Sequence, residues 1–510
     1  MTMTMTIELS NTLDIIRKSL NGSTCRHERS KIGQFFTPAV IARYMASLFE
    51  QIRMDVRILD PGAGTGVLFA ACVEALLSRK QRPSSIKVVA YENDKHVLSY
   101  LKETIEQCRI MCSKAGITFQ GEIRAEDFVA TAIEQTNNRL FTAEAERFTH
   151  VILNPPYKRI NTKSDLGRLL YTGGIEVSNL YAAFVWLTAQ LLESKGEMIA
   201  ITPRSFCNGP YFRRFRVRLL DIMSMRHIHV FESRKKAFGD DDVLQENVIY
   251  YAVKEKEKPE YVLLSLSDGA DFDNAKCQSI PYNQIILPGD RDAFIHLVLS
   301  DDDKRTMKRM GCFTTTLDTL GLDVSTGPVV DFRARKYLHQ LPNEGTVQLI
   351  YPCHLEGGFI KWPADTQKKP NAIEASVHTK DLLVEAGYYV LTKRFSAKEE
   401  RRRVVAAIYD PHLTEASQVG FENHLNYFHA KGGGLPANLA KGLALYLNST
   451  LFDQYFRIFS GHTQVNATDL RKMRYPTCAQ LLLLGTHVKH RMPDQETVDA
   501  ILKRECENNG

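Results

Sequence analysis

The sequence contains one short segment whose residue types and order suit a chemical reaction, Asn154-Pro155-Pro156-Tyr157. The Asn154 side-chain oxygen and the Pro155 carbonyl oxygen could both accept hydrogen bonds from an amine attached to an aromatic ring. Such bonds draw the nitrogen towards tetrahedral geometry and localise its lone pair, which makes the amine a better nucleophile. The two prolines stiffen the loop, and Tyr157 offers a flat face on which a planar base can stack. The alternative is a rigid Pro-Pro turn with a surface tyrosine.

A second segment, the glycine loop Asp60-Pro61-Gly62-Ala63-Gly64-Thr65-Gly66, joins a predicted strand to a predicted helix. Glycines let the backbone pass close to a ligand, and a helix N-terminus favours polar or anionic groups. Glu92 ends the next predicted strand, where a carboxylate can accept hydrogen bonds from two ribose hydroxyls. The G-x-G-x-G spacing after an acid favours S-adenosylmethionine over a dinucleotide, and Asp60 could anchor the methionine amino group. A dinucleotide site and a plain strand–helix turn are the alternatives.

Alternating strands and helices in the first half of the chain must position both segments. Strands are predicted at residues 56–59, 86–91, 117–123, 151–153 and 198–201, with helices between them. This pattern predicts an α/β fold with a mostly parallel sheet covered by helices on both faces. Open α/β sheets bind ligands where their strands end, which is where both segments lie. Asp127 follows the third strand and could bind an adenine amine, although a helix cap is the alternative.

The composition is that of a globular protein, with 44% hydrophobic and 24% charged residues in a chain of 510. Its apolar stretches are too short for a membrane span, and the Met-Thr repeats at the start lack the pattern of a secretory signal. Ten cysteines form no Cys-x-x-Cys pair, which favours reduced thiols and a cytoplasmic protein. A net charge of +6 is compatible with a polyanionic partner.

The order of the segments resembles that of a known family. Gly33-Gln34-Phe35-Phe36-Thr37-Pro38 comes first, followed by the glycine loop, the Asn-Pro-Pro-Tyr loop and a long C-terminal half. In this order the chain resembles the gamma-class N6-adenine DNA methyltransferases of type II restriction-modification systems. Its catalytic half is TaqI-like, and the whole chain is BsuBI- and PstI-like. The resemblance implies a Rossmann-like S-adenosylmethionine-dependent methyltransferase domain and a C-terminal mixed α+β target-recognition domain.

The resemblance and a charged run at residues 254–260 together predict three parts of the chain. Residues 1–30 form an N-terminal helical extension in this prediction. Residues 31–255 form the methyltransferase catalytic domain, and residues 256–510 form the DNA target-recognition domain. The charged run lacks apolar periodicity, which is typical of a surface crossing between domains.

The resemblance also assigns roles to matching residues of this sequence. The catalytic residues are Asn154, Pro155, Pro156 and Tyr157. Contacts to the cofactor are implied for Thr37, Asp60, Gly62, Gly64, Gly66, Glu92, Asp127, Pro156 and Phe184. Tyr157 and Phe238 would stack on the target base, although Asp240-Asp241-Asp242 departs from the basic stretch of TaqI-like enzymes. The alternatives are a core aromatic for Phe184 and a loop residue capping the core for Phe238. Methyl transfer of this kind needs no metal, and none is predicted.

Methylation of adenine in a duplex requires that the nucleotide is flipped out of the stack. Candidate phosphate contacts come from two arginine clusters, namely Arg213, Arg214, Arg216, Arg218 and the run Arg401-Arg402-Arg403. A solvated helix face is the alternative for each cluster. In the C-terminal half, Arg394 could read guanine, while Gln464 and Asn466 could read adenine. Structural turns are the alternative for these three residues.

The sequence therefore predicts a site-specific DNA methyltransferase that acts on adenine N6. It would bind double-stranded DNA as a monomer and protect a short palindrome, with CTGCAG as a candidate, from a cognate restriction endonuclease. That endonuclease would act on the same site without needing to bind the methyltransferase. Two alternatives stay open: an RNA or protein-glutamine methyltransferase that uses the same loop, and a non-catalytic DNA-binding protein. The long C-terminal half weighs against the first alternative, and the intact loops weigh against the second.

Overall fold

The computed structural model describes residues 9, 12–17, 36–137, 146–232, 246–364, 369–396, 400–431, 433–459 and 464–507. The chain divides into two compact units, Met1–Leu299 and Ser300–Gly510. Of the expected N-terminal helical extension, residues 9 and 12–17 are described, and they are helical. No helix in the described ranges is long and apolar enough to cross a membrane.

The first unit contains a nine-stranded sheet in the order β3-β2-β1-β4-β5-β7-β6-β8-β9. Its strands are β1 Asp55–Pro61, β2 Ser85–Tyr91, β3 Thr118–Arg124, β4 Phe148–Leu153, β5 Leu192–Pro203, β6 Met223–Phe231, β7 Asn247–Lys254, β8 Tyr261–Ser267 and β9 Lys276–Pro281. Strands β1 to β5 are mutually parallel, whereas β7 is antiparallel to both of its neighbours. The carboxyl ends of β1, β2, β3, β4 and β5 therefore meet at one edge of the sheet.

Helices cover both faces of this sheet. They are α1 Ala39–Ser47, α2 Val67–Ser78, α3 Leu98–Lys114, α4 Phe128–Asn137, α5 Asp165–Thr172, α6 Leu180–Leu191, α7 Arg213–Ile222 and α8 Tyr282–Ile285. Successive strand residues face opposite sides, so Ile58 packs in the core under α1, α2 and α3, and Leu59 packs in the core under α4, α6 and α7. The predicted α/β fold with helices on both faces is confirmed.

The boundary between the units lies further along the chain than the boundary expected after residue 255. The charged run at residues 254–260 connects two strands of one sheet, because β8 pairs with β6 in parallel. Strand β9 then pairs with β8 and is the edge strand of the sheet. The first unit accordingly extends to Leu299. A solvated charged run marks a surface crossing, but such a crossing can join two strands of one sheet as well as two domains.

The second unit is a mixed α+β fold, as expected. Its described strands are β10 Asp323–Thr326, β11 Leu338–His339, β12 Thr346–Ile350, β13 Leu355–Glu356, β14 Phe359–Ile360, β15 Ala372–Glu374, β16 Leu383–Glu385, β17 Tyr389–Lys393, β18 Ala406–Tyr409, β19 Gln418–Phe421 and β20 Leu425–His429. They form a six-stranded sheet, β10-β20-β17-β18-β14-β13, and a five-stranded sheet, β11-β15-β12-β19-β16. Its helices are α9 Asp301–Met310, α10 Asp331–Ala334, α11 Ala437–Leu447, α12 Thr450–Phe459, α13 Ala467–Arg471, α14 Cys478–Thr486 and α15 Gln495–Leu502.

Candidate functional site

The Asn-Pro-Pro-Tyr loop follows β4, whose six residues are all buried. The Asn154 side chain is held at both ends of its amide. Its Nδ2 donates to Thr37 Oγ1 at 3.0 Å, and its Oδ1 accepts from the Tyr157 hydroxyl at 3.0 Å. Because Thr37 is only 4% exposed, its hydroxyl is a fixed partner for Asn154. The structure thus gives the amide a defined orientation without a substrate.

Thr37 does not cap helix α1, although a Thr-Pro pair commonly opens a helix in that way. The N-cap position is Pro38, and it makes no side-chain cap. The backbone N–H of Ala39 is instead 3.3 Å from Asp14 Oδ1 in the N-terminal helical segment. The Thr37 hydroxyl is therefore used for Asn154, which connects the start of α1 to the Asn-Pro-Pro-Tyr loop.

Tyr157, the last residue of the Asn-Pro-Pro-Tyr loop, contacts the end of β5. Its hydroxyl is 3.3 Å from the carbonyl oxygen of Ile201, and its ring meets Tyr181 edge-on with centroids 6.2 Å apart. Burial holds the pKa of the Tyr157 hydroxyl well above its usual value of 10. The hydroxyl is consequently a neutral donor near neutral pH and cannot act as a general base. The Tyr157 side chain is half-buried.

The glycine loop takes a backbone conformation that its three glycines permit. Gly62, Gly64 and Gly66 all have positive φ, between 56° and 89°. The backbone N–H groups of Gly62 and Ala63 both donate to the carbonyl oxygen of Tyr91 at 2.8 Å. A Cβ on Gly66 would lie 2.6 Å from the Phe69 ring, and one on Gly64 would lie 3.3 Å from the Phe36 ring. The loop is thus closely packed around its backbone.

Two buried carboxyl groups flank this loop. Glu92 Oε2 accepts from the Gly64 N–H and Oε1 from the Asp94 N–H, both at 2.8 Å, which orients the carboxylate against the loop. Burial raises the pKa of Glu92, and these two N–H groups oppose the rise. Asp60 is fully buried, and burial raises its pKa to about 8, although the Phe69 N–H favours the charged form. Neither Asp60 oxygen has a well-formed hydrogen bond to any described residue.

These groups fit S-adenosylmethionine. A buried carboxyl without a strong partner suits a ligand that brings a positive charge, because an ion pair would offset the desolvation of the charged form. Glu92 at the end of β2 matches the position from which a carboxylate binds ribose. Phe184 provides an aromatic ring beside the glycine loop. A Cβ added to Gly62 would lie 3.7 Å from this ring, and the ring centroids of Phe184 and Phe128 are 5.0 Å apart.

Asp127 has the contact expected of a helix cap. Its Oδ1 accepts from the Ala130 N–H at 2.9 Å at the start of α4, and the residue is exposed. The structure thus shows the alternative interpretation of this residue, while a role in binding the adenine amine remains a prediction. Pro156 is half-buried in the Asn-Pro-Pro-Tyr loop. Phe238, the run 240–242 and residues 33–35 lie outside the described residues.

The arginines of the first candidate cluster differ in their contacts. Arg213 pairs with Asp292 at 3.1 Å, and Arg214 pairs with Glu176. Arg216 is fully buried and donates to the carbonyl oxygens of Phe206, Gly209 and Asp292. The prediction that Arg216 contacts phosphate is therefore wrong, because its guanidinium is used to hold backbone segments together. In the second cluster Arg403 is also buried, and its Nε donates to Ser396.

The candidate base-reading residues come together in the second unit. The Arg394 carbonyl oxygen accepts from the Val465 N–H at 2.7 Å, and Phe395 forms an isolated β-bridge with Gln464. Arg394 donates through Nη1 to the Asn423 carbonyl oxygen at 3.2 Å. Asn466 donates through both its backbone N and Nδ2 to Asp469, so its side chain takes part in starting α13.

The sequence interpretation missed polar groups at the site edge of the sheet. Asn247 begins β7 opposite Pro203 in β5, and its amide is buried without a hydrogen-bond partner among the described residues. The link between Thr37 and Asn154 was also missed, because the two residues are far apart in sequence. A short polar–apolar segment such as the start of β7 carries no sequence signal that distinguishes it from an ordinary strand end.

Known proteins resemble the chain along almost its full length. The family model described as Eco57I restriction-modification methylase matches residues 15–238. The type II methyltransferase M.PstI of Providencia stuartii is 42% identical over 498 residues, which cover 98% of this chain and 97% of that protein. The type II methyltransferase M.BsuBI of Bacillus subtilis is 42% identical over 485 residues, covering 94% of each. The type IIL restriction-modification enzyme MmeI, solved in complex with DNA, shares the fold with a TM-score of 0.55 at 10% identity, covering 92% of this chain and 71% of that chain.

Proposed function

The chain belongs to the type II methyltransferases of restriction-modification systems, and we propose that it methylates N6 of adenine in a short double-stranded DNA sequence. The observation that carries this proposal is the Asn154 amide, held by Thr37 and Tyr157 at the end of β4. Its Oδ1 is the acceptor that an exocyclic amine requires. The methyl donor in the proposal is S-adenosylmethionine.

The glycine loop and its flanking acids would hold the cofactor. Glu92, whose two oxygens are held by backbone N–H groups, would accept hydrogen bonds from the ribose. The buried Asp60 would balance the methionine ammonium, and Phe184 would pack against the adenine together with Pro156. When bound, S-adenosylmethionine supplies a methyl group that is already activated on a sulfonium. The protein therefore has to bind and orient, and it needs no strong base.

Asn154 and Pro155 would activate the amine of the target base. Asn154 Oδ1 and the Pro155 carbonyl oxygen would each accept a hydrogen bond from one of the two N–H groups of the adenine amine. Because Tyr157 donates to Asn154 Oδ1 in the free protein, the amine must displace or share that hydrogen bond. The Tyr157 ring is then available to stack on the base. After transfer the amine nitrogen is positively charged, and it releases its extra proton to water.

DNA would enter by base flipping, because the amine of adenine is inaccessible within the stacked duplex. Extruding the nucleotide costs a few kcal/mol, which stacking on Tyr157 and phosphate contacts would offset. Arg394 and Gln464 in the second unit remain candidates for reading base edges. A monomer that modifies one strand in each encounter is sufficient for a palindrome such as CTGCAG. Methylation would protect that sequence from a cognate endonuclease.

The proposal is tested by offering labelled S-adenosylmethionine to the purified protein with unmethylated duplex DNA, RNA and protein in parallel. We expect label in the duplex DNA, and little label in the other two acceptors. The Asn154→Ala variant serves as a control for background labelling. Label in RNA or protein, without label in DNA, would reject DNA methylation as the activity.

A further inference from the structure

A short basic segment of the second unit, residues 331–337, presents an unusual surface. This segment, named the basic turn here, consists of α10 and the helical turn Arg335–Tyr337. The side chain of Phe332 is 76% exposed. Arg333, Arg335 and Lys336 around it are exposed as well. An exposed phenylalanine surrounded by three cations is not explained by packing within the unit.

The base of the basic turn is firmly anchored. Asp331 accepts a hydrogen bond from the Tyr351 hydroxyl at 2.9 Å and one from Lys369 at 2.7 Å. Ala334 is buried in a small core with Val329, Leu349 and other residues. The exposed side chains therefore project from a fixed backbone.

A neighbouring turn, residues 376–380, extends the same surface. Its His378 stacks on Tyr337 of the basic turn with ring centroids 6.2 Å apart. The buried Thr379 fixes the turn, because its Oγ1 donates to the Glu374 carbonyl oxygen at 2.6 Å and accepts from the Ser376 N–H at 3.0 Å. The turn presents Val377, which is 90% exposed, and the exposed Lys380. The two turns together carry four cations and two apolar tips.

The four cations are Arg333, Arg335, Lys336 and Lys380. None of them forms an ion pair with a carboxylate in the described part of the chain. The contacts recorded for two of them are with aromatic rings: Arg333 lies 5.5 Å from the Phe332 ring centroid, and Lys336 Nζ lies 4.6 Å from that of Tyr337. Arg213 and Arg214, by contrast, are each paired with an acid. The basic turn thus offers three cations that pair with no carboxylate among the described residues, since its own Asp331 pairs with Lys369.

We propose that the basic turn binds the phosphate backbone of double-stranded DNA, with Phe332 packed against the sugars between the contacted phosphates. This inference rests on the proposed function and adds a surface for the duplex. Clustered cations with no acidic partner complement a polyanion. A protein partner is the weaker match, because it would have to present several acids at matching positions, whereas any duplex presents a regular row of phosphates. Contacts of this kind position the duplex without reading its sequence.

The test is the salt dependence of DNA binding by the triple variant Arg333→Gln, Arg335→Gln, Lys336→Gln. Each lost phosphate contact lowers the slope of log affinity against log salt by about 0.9. We expect weaker binding to every duplex sequence and a reduced slope. The matched control replaces three exposed cations elsewhere in the second unit, Lys489→Gln, Arg491→Gln and Lys503→Gln, and should keep the wild-type slope.

A second variant separates the role of Phe332 from that of the charges. Phe332→Ala should weaken duplex binding while leaving the salt slope unchanged, because no charge is removed. A triple variant with the wild-type affinity and the wild-type salt slope would overturn the inference. The same result is expected if the basic turn binds a protein instead of DNA. If the wild-type protein itself fails to bind duplex DNA, the proposed function fails rather than this inference alone.

Discussion

Asn154 is oriented by hydrogen bonds at both ends of its amide, and this arrangement is the main residue-level result. The partner of Nδ2 is buried Thr37, and the partner of Oδ1 is the Tyr157 hydroxyl. Both partners are hydroxyl groups, and together they hold the amide in place in the free protein.

Replacement of Asn154 tests the activating role of its amide. Asn154→Ala should lower the methyl-transfer rate by at least about 100-fold, similar to the loss of one preorganised hydrogen-bonding group in other enzymes. Cofactor binding should remain within about twofold, because Asn154 is not among the residues assigned to the cofactor. Single-turnover rates and equilibrium titration with S-adenosylmethionine measure the two quantities. An alanine variant with substantial activity would contradict the mechanism.

Thr37 offers a finer test of orientation. Thr37→Val removes the acceptor for Asn154 Nδ2 while keeping the shape of the side chain, and we expect the transfer rate to fall by roughly five- to tenfold. Thr37→Ser keeps the Oγ1 acceptor and should restore most of that rate. If Thr37 acts through the cofactor alone, the valine variant would instead show weaker cofactor binding with an unchanged rate at saturation.

The buried Asp60 predicts a pH dependence of cofactor binding. Burial raises its pKa to about 8, so the carboxyl is largely neutral below that pH in the free protein. A cationic ligand favours the ionised form, so binding below pH 8 must release a proton. Affinity for S-adenosylmethionine should therefore rise as the pH increases from about 6 to 8, and then level off.

Calorimetry in buffers of different ionisation enthalpy would detect the proton release directly. Asp60→Asn cannot ionise, so this variant should lose both the proton release and the slope of affinity between about pH 6 and 8. The same raised pKa has a second consequence for the free protein. Between the unfolded pKa near 3.8 and about 8, the folded state binds more protons, so stability falls as the pH rises. If the wild-type affinity for S-adenosylmethionine is flat between about pH 6 and 8, the role of Asp60 is rejected.

At the scale of elements, the sequence predicted the loops better than the caps. The glycine loop was recognisable because positive φ restricts its positions to glycine, and a strand and a helix flank it. Asp127 and Asn466 were less predictable, because acids and amides serve equally well as helix caps and as ligands. The Arg216 prediction failed because Arg216 lies on the buried face of α7 with Phe215, Leu219 and Leu220, a face that the helical spacing of the apolar residues indicates.

The glycine loop also predicts an effect on stability. Gly66→Ala places a Cβ 2.6 Å from the Phe69 ring and requires φ of 89°, so we expect a loss of more than about 2 kcal/mol in the free energy of unfolding. Gly116→Ala is a matched control, since its φ is 72° but nothing lies within 4 Å of the added Cβ. It should cost only about 1–2 kcal/mol. Urea unfolding compares the variants, and equal losses would show that contact with Phe69 is unimportant.

For the whole molecule, the sequence predicted an N-terminal extension and two domains divided after residue 255, whereas the two compact units divide after Leu299. The alternation of strands and helices defined the first sheet up to β5, whereas β8 and β9 join it after a charged run that resembles a linker. The charge of +6 did not reveal where cations are available. Arg213 and Arg214 each form an ion pair with an acid, whereas the cations of the basic turn form no ion pair among the described residues. The fold decides which cations are paired, so the sequence alone does not reveal the free ones.

The central claim is the methylation of adenine N6 in duplex DNA, and the identity of the modified nucleoside tests it most directly. Unmethylated duplex DNA would be incubated with the protein and labelled S-adenosylmethionine, digested to nucleosides and separated by chromatography with mass detection. The account predicts that the label elutes as N6-methyldeoxyadenosine and that Asn154→Ala slows its formation by at least about 100-fold. Label in a methylated cytosine, or no label in DNA under conditions where the cofactor binds, would contradict the account.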